Sequence, residues 1–342
     1  MFDKHAKQLT RFSVVKVGSI FAAASLVMLI SMFLAVLHGA KELTIHTVME
    51  AITAYDPKIT AHQIIHELRL PRVIGAAVIG AAFAVAGALM QGITRNPLAD
   101  SGILGINAGA TFVVALSFAF FPNLPYYSLI LVSFSGAVMS TLLIFALGSS
   151  TPGGLTPVRL TISGAVVAAL LSSLSSGIAI YYDLSQDLAF WYAGGVAGIK
   201  WLHLRFLLPI LLLAIMWAAA LGRSVSLLSL GEDVAANLGM NTKRIQITGM
   251  AVAVILAGVS VSAVGAVGFI GLVIPHIARK VIGVDYRLII PLSALLGAIL
   301  LVLADLGART VNPPKELAIG VMVALVGVPF FLYLARRERR NL

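Results

Sequence analysis

Runs of apolar residues close to twenty long recur along almost the whole sequence, and this repetition limits the fold more than any other feature. The first charge-free run, Val17 to Leu37, is 21 residues long. A hydrocarbon core about 30 Å thick is crossed by about 20 residues of α-helix at 1.5 Å per residue. Inside lipid every backbone N–H and C=O must be bonded within the protein, so only helices and closed barrels span it. Barrel strands alternate in polarity over about ten residues, whereas these runs are continuous, which selects the helix. Hydrophobic residues make up 59% of the 342, enough for about ten such stretches, and charged residues only 11%. The charged share is less than half of the roughly 25% of soluble domains. A soluble globule must cover itself with polar groups, so a single soluble domain, a disordered chain and a secreted disulfide scaffold are excluded. The chain has no Cys, which removes thiolate metal sites and Cys nucleophiles.

The pattern predicts an all-α polytopic membrane protein of about ten transmembrane helices, one of them short, in a single domain covering 1–342. The expected spans are about 14–37, 70–92, 104–121, 126–148, 159–181, 204–222, 245–263, 265–279, 288–308 and 317–335. Ile245 to Arg279 is nearly uninterrupted and as one helix would be about 52 Å long, too long for one crossing. Gly258, Gly265, Gly268 and Gly271 offer places to turn, so two passes are expected there, one of them short. The first run is longer than a secretion-signal core and no convincing cleavage site follows it, so it is read as a retained helix.

Ten crossings put both termini on one side. Sorting Lys and Arg by loop then places 16 on the terminal side: Lys4, Lys7, Arg11, Lys16, Arg95, Arg159, Arg223, Lys243, Arg244, Arg279, Lys280, Arg287, Arg336, Arg337, Arg339 and Arg340. Eight lie opposite: Lys41, Lys58, Arg69, Arg72, Lys200, Arg205, Arg309 and Lys315. The acids divide 6 to 8, so the whole net charge of +10 lies with the termini. By the positive-inside rule both termini are expected in the cytoplasm. The basic surplus is thus a topology signal rather than a nucleic-acid footprint. Ala76, Gly80, Ala84 and Ala88 form a small-residue row at spacing four, suited to close helix packing.

Chemistry is scarce between the span ends. Asp305 is the best ionisable candidate, with Arg309 four residues on as a local helical partner. Proton- or sodium-coupled transporters usually carry acids or His at depth, so their scarcity argues against a secondary pump, although backbone carbonyls also bind sodium. No Ser/His/Asp arrangement, HExxH motif or GxxxxGK[ST] phosphate loop is evident. The His residues form no metal-spaced cluster.

Four polar segments stand out. In LRLPR (Leu68–Arg72), Pro71 falls at the first turn of a helix, and Arg69 and Arg72 share a face; the pair is either an interfacial anchor or a docking point for carboxylates. In QGITRNPLADSGILG (Gln91–Gly105), Asn96-Pro97 makes a turn, and Asp100 follows. The segment 226–239 lies in the longest cytoplasmic loop. Its helix is expected from Glu232 to Leu238, with Gly231 before it, the acids Glu232 and Asp233 in its first turn, and Gly239 as C-cap. Leu230, Val234 and Leu238 form one apolar face beside Ala235, suited to a partner's groove or to the membrane surface. The fourth, VGAVGFIGLVIPHIARKVIG (Val264–Gly283), carries Pro275, His276 and Arg279; a lone His here reads first as a structural hydrogen-bonder.

Together these segments resemble the permease family of bacterial ABC importers for iron-siderophores, haem and vitamin B12. The resemblance rests on RLPR at 69–72, RNPLAD at 95–100, LG at 104–105, Trp191-x-x-Gly194, LSLG at 228–231 and Ala235-x-x-Leu238-Gly239. GFIGLVIPHIAR at 268–279, AD at 304–305, Arg309, KELAIG at 315–320 and GVPFF at 327–331 complete it. Two positions depart from the family pattern: Ser101 and Ala318 stand where Pro is usual. The resemblance implies a multi-pass bacterial cell-membrane permease, no enzyme itself. Its partners would be a second permease subunit, a copy or a paralogue, and two cytosolic ATPases. An extracytoplasmic substrate-binding protein would deliver the cargo. It further implies binding-protein docking at Arg69, Arg72 and Arg309, ATPase coupling through 226–239, and an outer gate near Trp191 and Gly194. No cofactor is expected on this chain; ATP and Mg belong to the ATPases. An iron-siderophore is the expected cargo, with haem or cobalamin as alternatives inside the family. A secondary transporter driven by an ion gradient is the alternative from another class.

Overall fold

The computed structural model describes residues 14–39, 43–150, 157–313 and 315–338. Lys4, Lys7, Arg11, Lys41, Arg339 and Arg340 of the charge count lie outside the described residues. The chain forms α1 (Val14–Leu37), α2 (Ile45–Thr53), α3 (Leu70–Thr94), α4 (Ile106–Phe120), α5 (Tyr126–Ser149), α6 (Pro157–Tyr181) and α7 (Ser185–Ala193). These are followed by α8 (Trp201–Ser229), α9 (Glu232–Asn237), α10 (Thr242–Val264), α11 (Ile270–Ile282), α12 (Tyr286–Thr310) and α13 (Ile319–Glu338). Each apolar run read from the sequence overlaps one of these helices. Seven (α1, α3, α5, α6, α8, α10 and α12) are long and apolar enough to cross a membrane; α4 and Ile319–Leu332 of α13 are shorter apolar helices.

Three boundaries differ from expectation. Helical geometry begins before the expected start at 70: a helical turn at Thr60–Gln63 and a wide π-turn at Ile64–Arg69 run straight into α3 at Leu70. Pro71 has no N–H to continue the helical ladder, and the wider turn just before it absorbs the mismatch. α8 runs on to Ser229, so residues 226–229 of the expected coupling segment are the last turn of a long helix. The eighth apolar helix is Ile270–Ile282, not 265–279. The chain between α10 and α11 leaves helical geometry at Gly265 (φ 78°) and Phe269 (φ 67°).

α3 is the axis of the bundle, with 89% of its apolar window buried, against 17% for α1. Ala76, Gly80, Ala84 and Ala88 are all buried, and α8, α10, α11 and α12 pack around α3. Between lipid-bathed helices no hydrophobic force drives association, so close backbone approach matters more. A Cβ on Gly80 would strike the carbonyl of Gly297 in α12, and one on Gly87 would strike Gly271 of α11. Gly109 and Gly136 form a similar crossing between α4 and α5. Gly80→Val should therefore cost more than the roughly 1–3 kcal/mol of ordinary overpacking, because the obstacle is backbone. Thermal unfolding in detergent should show a lower Tm than for Ala84→Gly; an equal Tm would contradict this packing.

Candidate functional site

The arginines of 69–72 and 309 meet at the end of the bundle where α1 and α12 finish and α3 starts. The last carbonyls of a helix have no partner within it. Here Arg309 donates to Ala35 O at 2.6 Å, and Arg69 to Val36 O at 2.6 Å and Leu37 O at 2.8 Å, so two guanidiniums cap α1. Arg72 is held on two edges. It meets Asp305 at 2.8–2.9 Å and Glu316 at 2.8–2.9 Å. The Nε of Arg309 lies 3.4 Å from Asp305, the expected i,i+4 pair. Three cations thus face two carboxylates and a helix C-terminus that carries about half a negative charge.

Arg69, Asp305 and Arg309 keep only 6%, 1% and 4% of their surfaces. The resemblance implied binding-protein docking at Arg69, Arg72 and Arg309; within this chain these groups make internal bonds. Glu316, the outermost member, was not foreseen. Its hydrogen bond to Arg72 holds its carboxyl below the usual range. A depressed carboxyl stabilises the fold above its unfolded pKa, about 4.3, and that contribution fades as pH falls through the folded value. Removing one partner of a buried ion pair leaves the other uncompensated, at about 3–5 kcal/mol. Asp305→Asn should therefore lower Tm far more than Glu316→Gln, whose side chain is part-exposed. Glu316→Gln should also weaken the loss of stability between about pH 5 and pH 3. Thermal melts across that range check both.

At the other end of α3 the chain between α8 and α10 makes a compact corner. Gly231 (φ 135°) and Gly239 (φ 80°) bracket α9 in backbone conformations that side chains rarely adopt. Ala235 is fully buried, while Leu230, Val234 and Leu238 are 65%, 45% and 60% exposed. An apolar ridge is thus held outward by one small residue packed inward. The Asn241 side chain accepts from Arg244 N at 2.9 Å and starts α10. Glu232 lies 4.0 Å from Arg95.

The segment after α3 packs beside this corner. Arg95 takes a left-handed conformation, Asn96 Oδ1 accepts from Leu98 N to turn the chain at Pro97, and Asp100 Oδ1 accepts from Ser101 N at 2.8 Å. Asp100 lies against Gly271, where a Cβ would strike its carboxylate. Burial pushes this carboxyl up, with the Ser101 bonds in partial opposition. Pro275 has no N–H for the carbonyl of Gly271 four residues earlier. The amide of Gln91 supplies the missing donor at 3.2 Å. Arg279 in turn donates to Gln91 Oε1 at 3.3 Å and Tyr286 Oη at 2.9 Å. The expected structural role of His276 as a hydrogen-bonder is not met among the described residues: neither ring nitrogen has a partner there, and the ring meets Phe330 edge-on at 5.8 Å. Gln91 heads the polar segment 91–105 and Tyr286 opens α12 between Asp285 and Arg287, but nothing local in the sequence marks either as a partner of Arg279.

Trp191 and Gly194 lie at the end of α7, far from α9 in the bundle. Gly195 N donates to Val264 O at 2.8 Å, and a Cβ on Gly265 would strike the Trp191 carbonyl. This joint ties the break after α7 to the break after α10. Among the described residues no three His, Asp or Glu come together as a metal site.

Such a bundle, with an axial helix of small residues and a short amphipathic helix outside the long spans, is a multi-pass membrane protein of transport-permease type. A family model described as the FecCD transport family matches residues 27–337, and the chain belongs to that family. It is 51% identical over 310 residues to the iron(3+)-hydroxamate import system permease protein FhuB of Bacillus subtilis, covering 91% of this chain and 81% of the relative. It is 42% identical to the iron-uptake system permease protein FeuB of the same organism, over 98% of each chain. A solved metal-chelate type ABC transporter in an inward-facing conformation superposes with a TM-score of 0.83 at 27% identity, over 94% of this chain and 99% of that one.

Proposed function

We propose that this chain is the membrane-spanning permease subunit of an ATP-driven importer that carries an iron–siderophore chelate into the cytoplasm by alternating access. The observation that carries the energy-coupling part is the exposed Leu230–Val234–Leu238 ridge. Three apolar side chains are held outward by a corner that two positive-φ glycines bracket. An amphipathic helix offered in this way suits a groove on a soluble partner. In this reading two cytosolic ATPases, with their own ATP and Mg, seat α9. A second permease subunit, a copy or a paralogue, completes the pathway. Ten helices cross the bacterial cell membrane, with both termini cytoplasmic. The likeness to iron-hydroxamate and iron-uptake permeases supports the chelate as cargo.

The arginine end then faces outward. Its three guanidiniums, bonded internally, hold the rigid corner on which an extracytoplasmic binding protein docks. The Gly194–Gly265 joint lies at the same end, where a gate would stand. Closure of the ATPases pulls on α9, and α8 and α10 transmit the movement directly because α9 is spliced between them.

Leu230→Ser, Val234→Ser and Leu238→Ser together should abolish ATPase co-purification and chelate uptake while membrane insertion stays normal. Retained uptake would refute the seat. Vesicles holding the permease alone should accumulate no ferric hydroxamate under a pH or sodium gradient. Accumulation under either gradient would refute the ATP-driven reading.

A further inference from the structure

Next to the α9 ridge lies a cleft of about 830 Å³, walled by the C-terminal ends of α3, α8 and α11 and the start of α12. Four arginines line it, Arg95, Arg223, Arg279 and Arg287, against the single acid Asp285. Asp285 is already engaged: it accepts from Arg287 at 2.6 Å and from Ser226 Oγ at 3.1 Å. Three helix C-termini and one N-terminus, at about half a charge each, offset roughly one of the three surplus positive charges. Glu232, beside Arg95, offsets up to one more. A surplus of between about one and two charges remains.

The floor of the cleft is built in a particular way. Arg279 is fixed by Gln91 and Tyr286, both neutral, so its guanidinium is oriented but not neutralised. Among the described residues neither Arg279 nor Arg223 forms an ion pair. A preoriented guanidinium fork suits a planar two-oxygen acceptor such as a carboxylate. Leu230 belongs both to the cleft wall and to the exposed ridge, so a partner that covers the ridge also covers the cleft mouth.

We infer that the protein seated on the α9 ridge sends an acidic side chain into this cleft, where Arg223 and Arg279 receive its carboxylate. The inference rests on the reading of α9 as the ATPase seat and adds its chemistry: an apolar groove flanked by an acidic residue. The apolar contact supplies affinity, and the buried charge pair fixes register and slows dissociation.

The test uses the detergent-purified permease–ATPase complex. Arg223 is exposed, so Arg223→Glu does not disturb packing, and Arg279→Gln is the second variant. Arg223→Glu should weaken ATPase binding at least tenfold and flatten its dependence on salt. Replacing one acidic residue of the ATPase surface with Lys should restore binding to Arg223→Glu. If both arginine variants bind the ATPase as tightly as wild type while the ridge triple variant does not, the cleft assignment is overturned and the seat stands. If the ridge variant also binds normally, the seat itself fails. Native mass spectrometry with phosphatidylglycerol is the other arm. Loss of bound lipid in Arg223→Glu, with ATPase affinity unchanged, would make the cleft a lipid-headgroup site and overturn the inference.

Discussion

Backbone contact at glycine governs this molecule. α3 can stand at the centre of the bundle only because its neighbours approach to the distance of bare main chain, at Gly80 against Gly297 and at Gly87 against Gly271. In lipid this closeness replaces the hydrophobic drive of soluble cores, since contact between helices is gained only by fit. Everything of functional interest hangs from the two ends of that axial helix. Arg69 and Arg72 sit at its start, and Gln91 and Arg95 at its finish.

The two ends use charge in opposite ways. At the first, cations and carboxylates close on each other and on the carbonyls of α1, and almost nothing is left for solvent. The arrangement ties α1, α3, α12 and the segment before α13 into one rigid corner. At the second, arginines outnumber acids, one guanidinium is held by neutral groups, and leucines face outward. A closed end and an open end on one rigid axis suit a subunit that keeps its shape on one side and takes force on the other. α9 sits between two long helices, so in the proposed coupling its movement would pass into both.

Much of this was legible in residue order. Continuous apolar runs located the helices because span length is set by bilayer thickness. Gly231, Glu232 and Gly239 located α9 because caps and helix dipoles act within a few residues. The break after α10 was legible in Gly265 for the same reason. The boundaries that failed did so where one element borrows from another. The helix continues through Pro71 by means of a wide turn, and Pro275 is tolerated because Gln91, 184 residues earlier in the chain, lends a donor to the carbonyl of Gly271.

Residue order therefore carried what is local or periodic: an all-helical membrane protein, the places of its apolar helices and the short helix between α8 and α10. Only the folded chain decided which charges are consumed. Arg69, Arg72 and Arg309, assigned to docking by the resemblance, also bond internally, whereas Arg223, counted only in the charge balance, and Arg279, noted there and within its motif, line an open cleft. A guanidinium is neutralised by what stands within about 4 Å of it. In this bundle those neighbours come from helices more than two hundred residues apart in the chain, as Arg72 and Asp305 show.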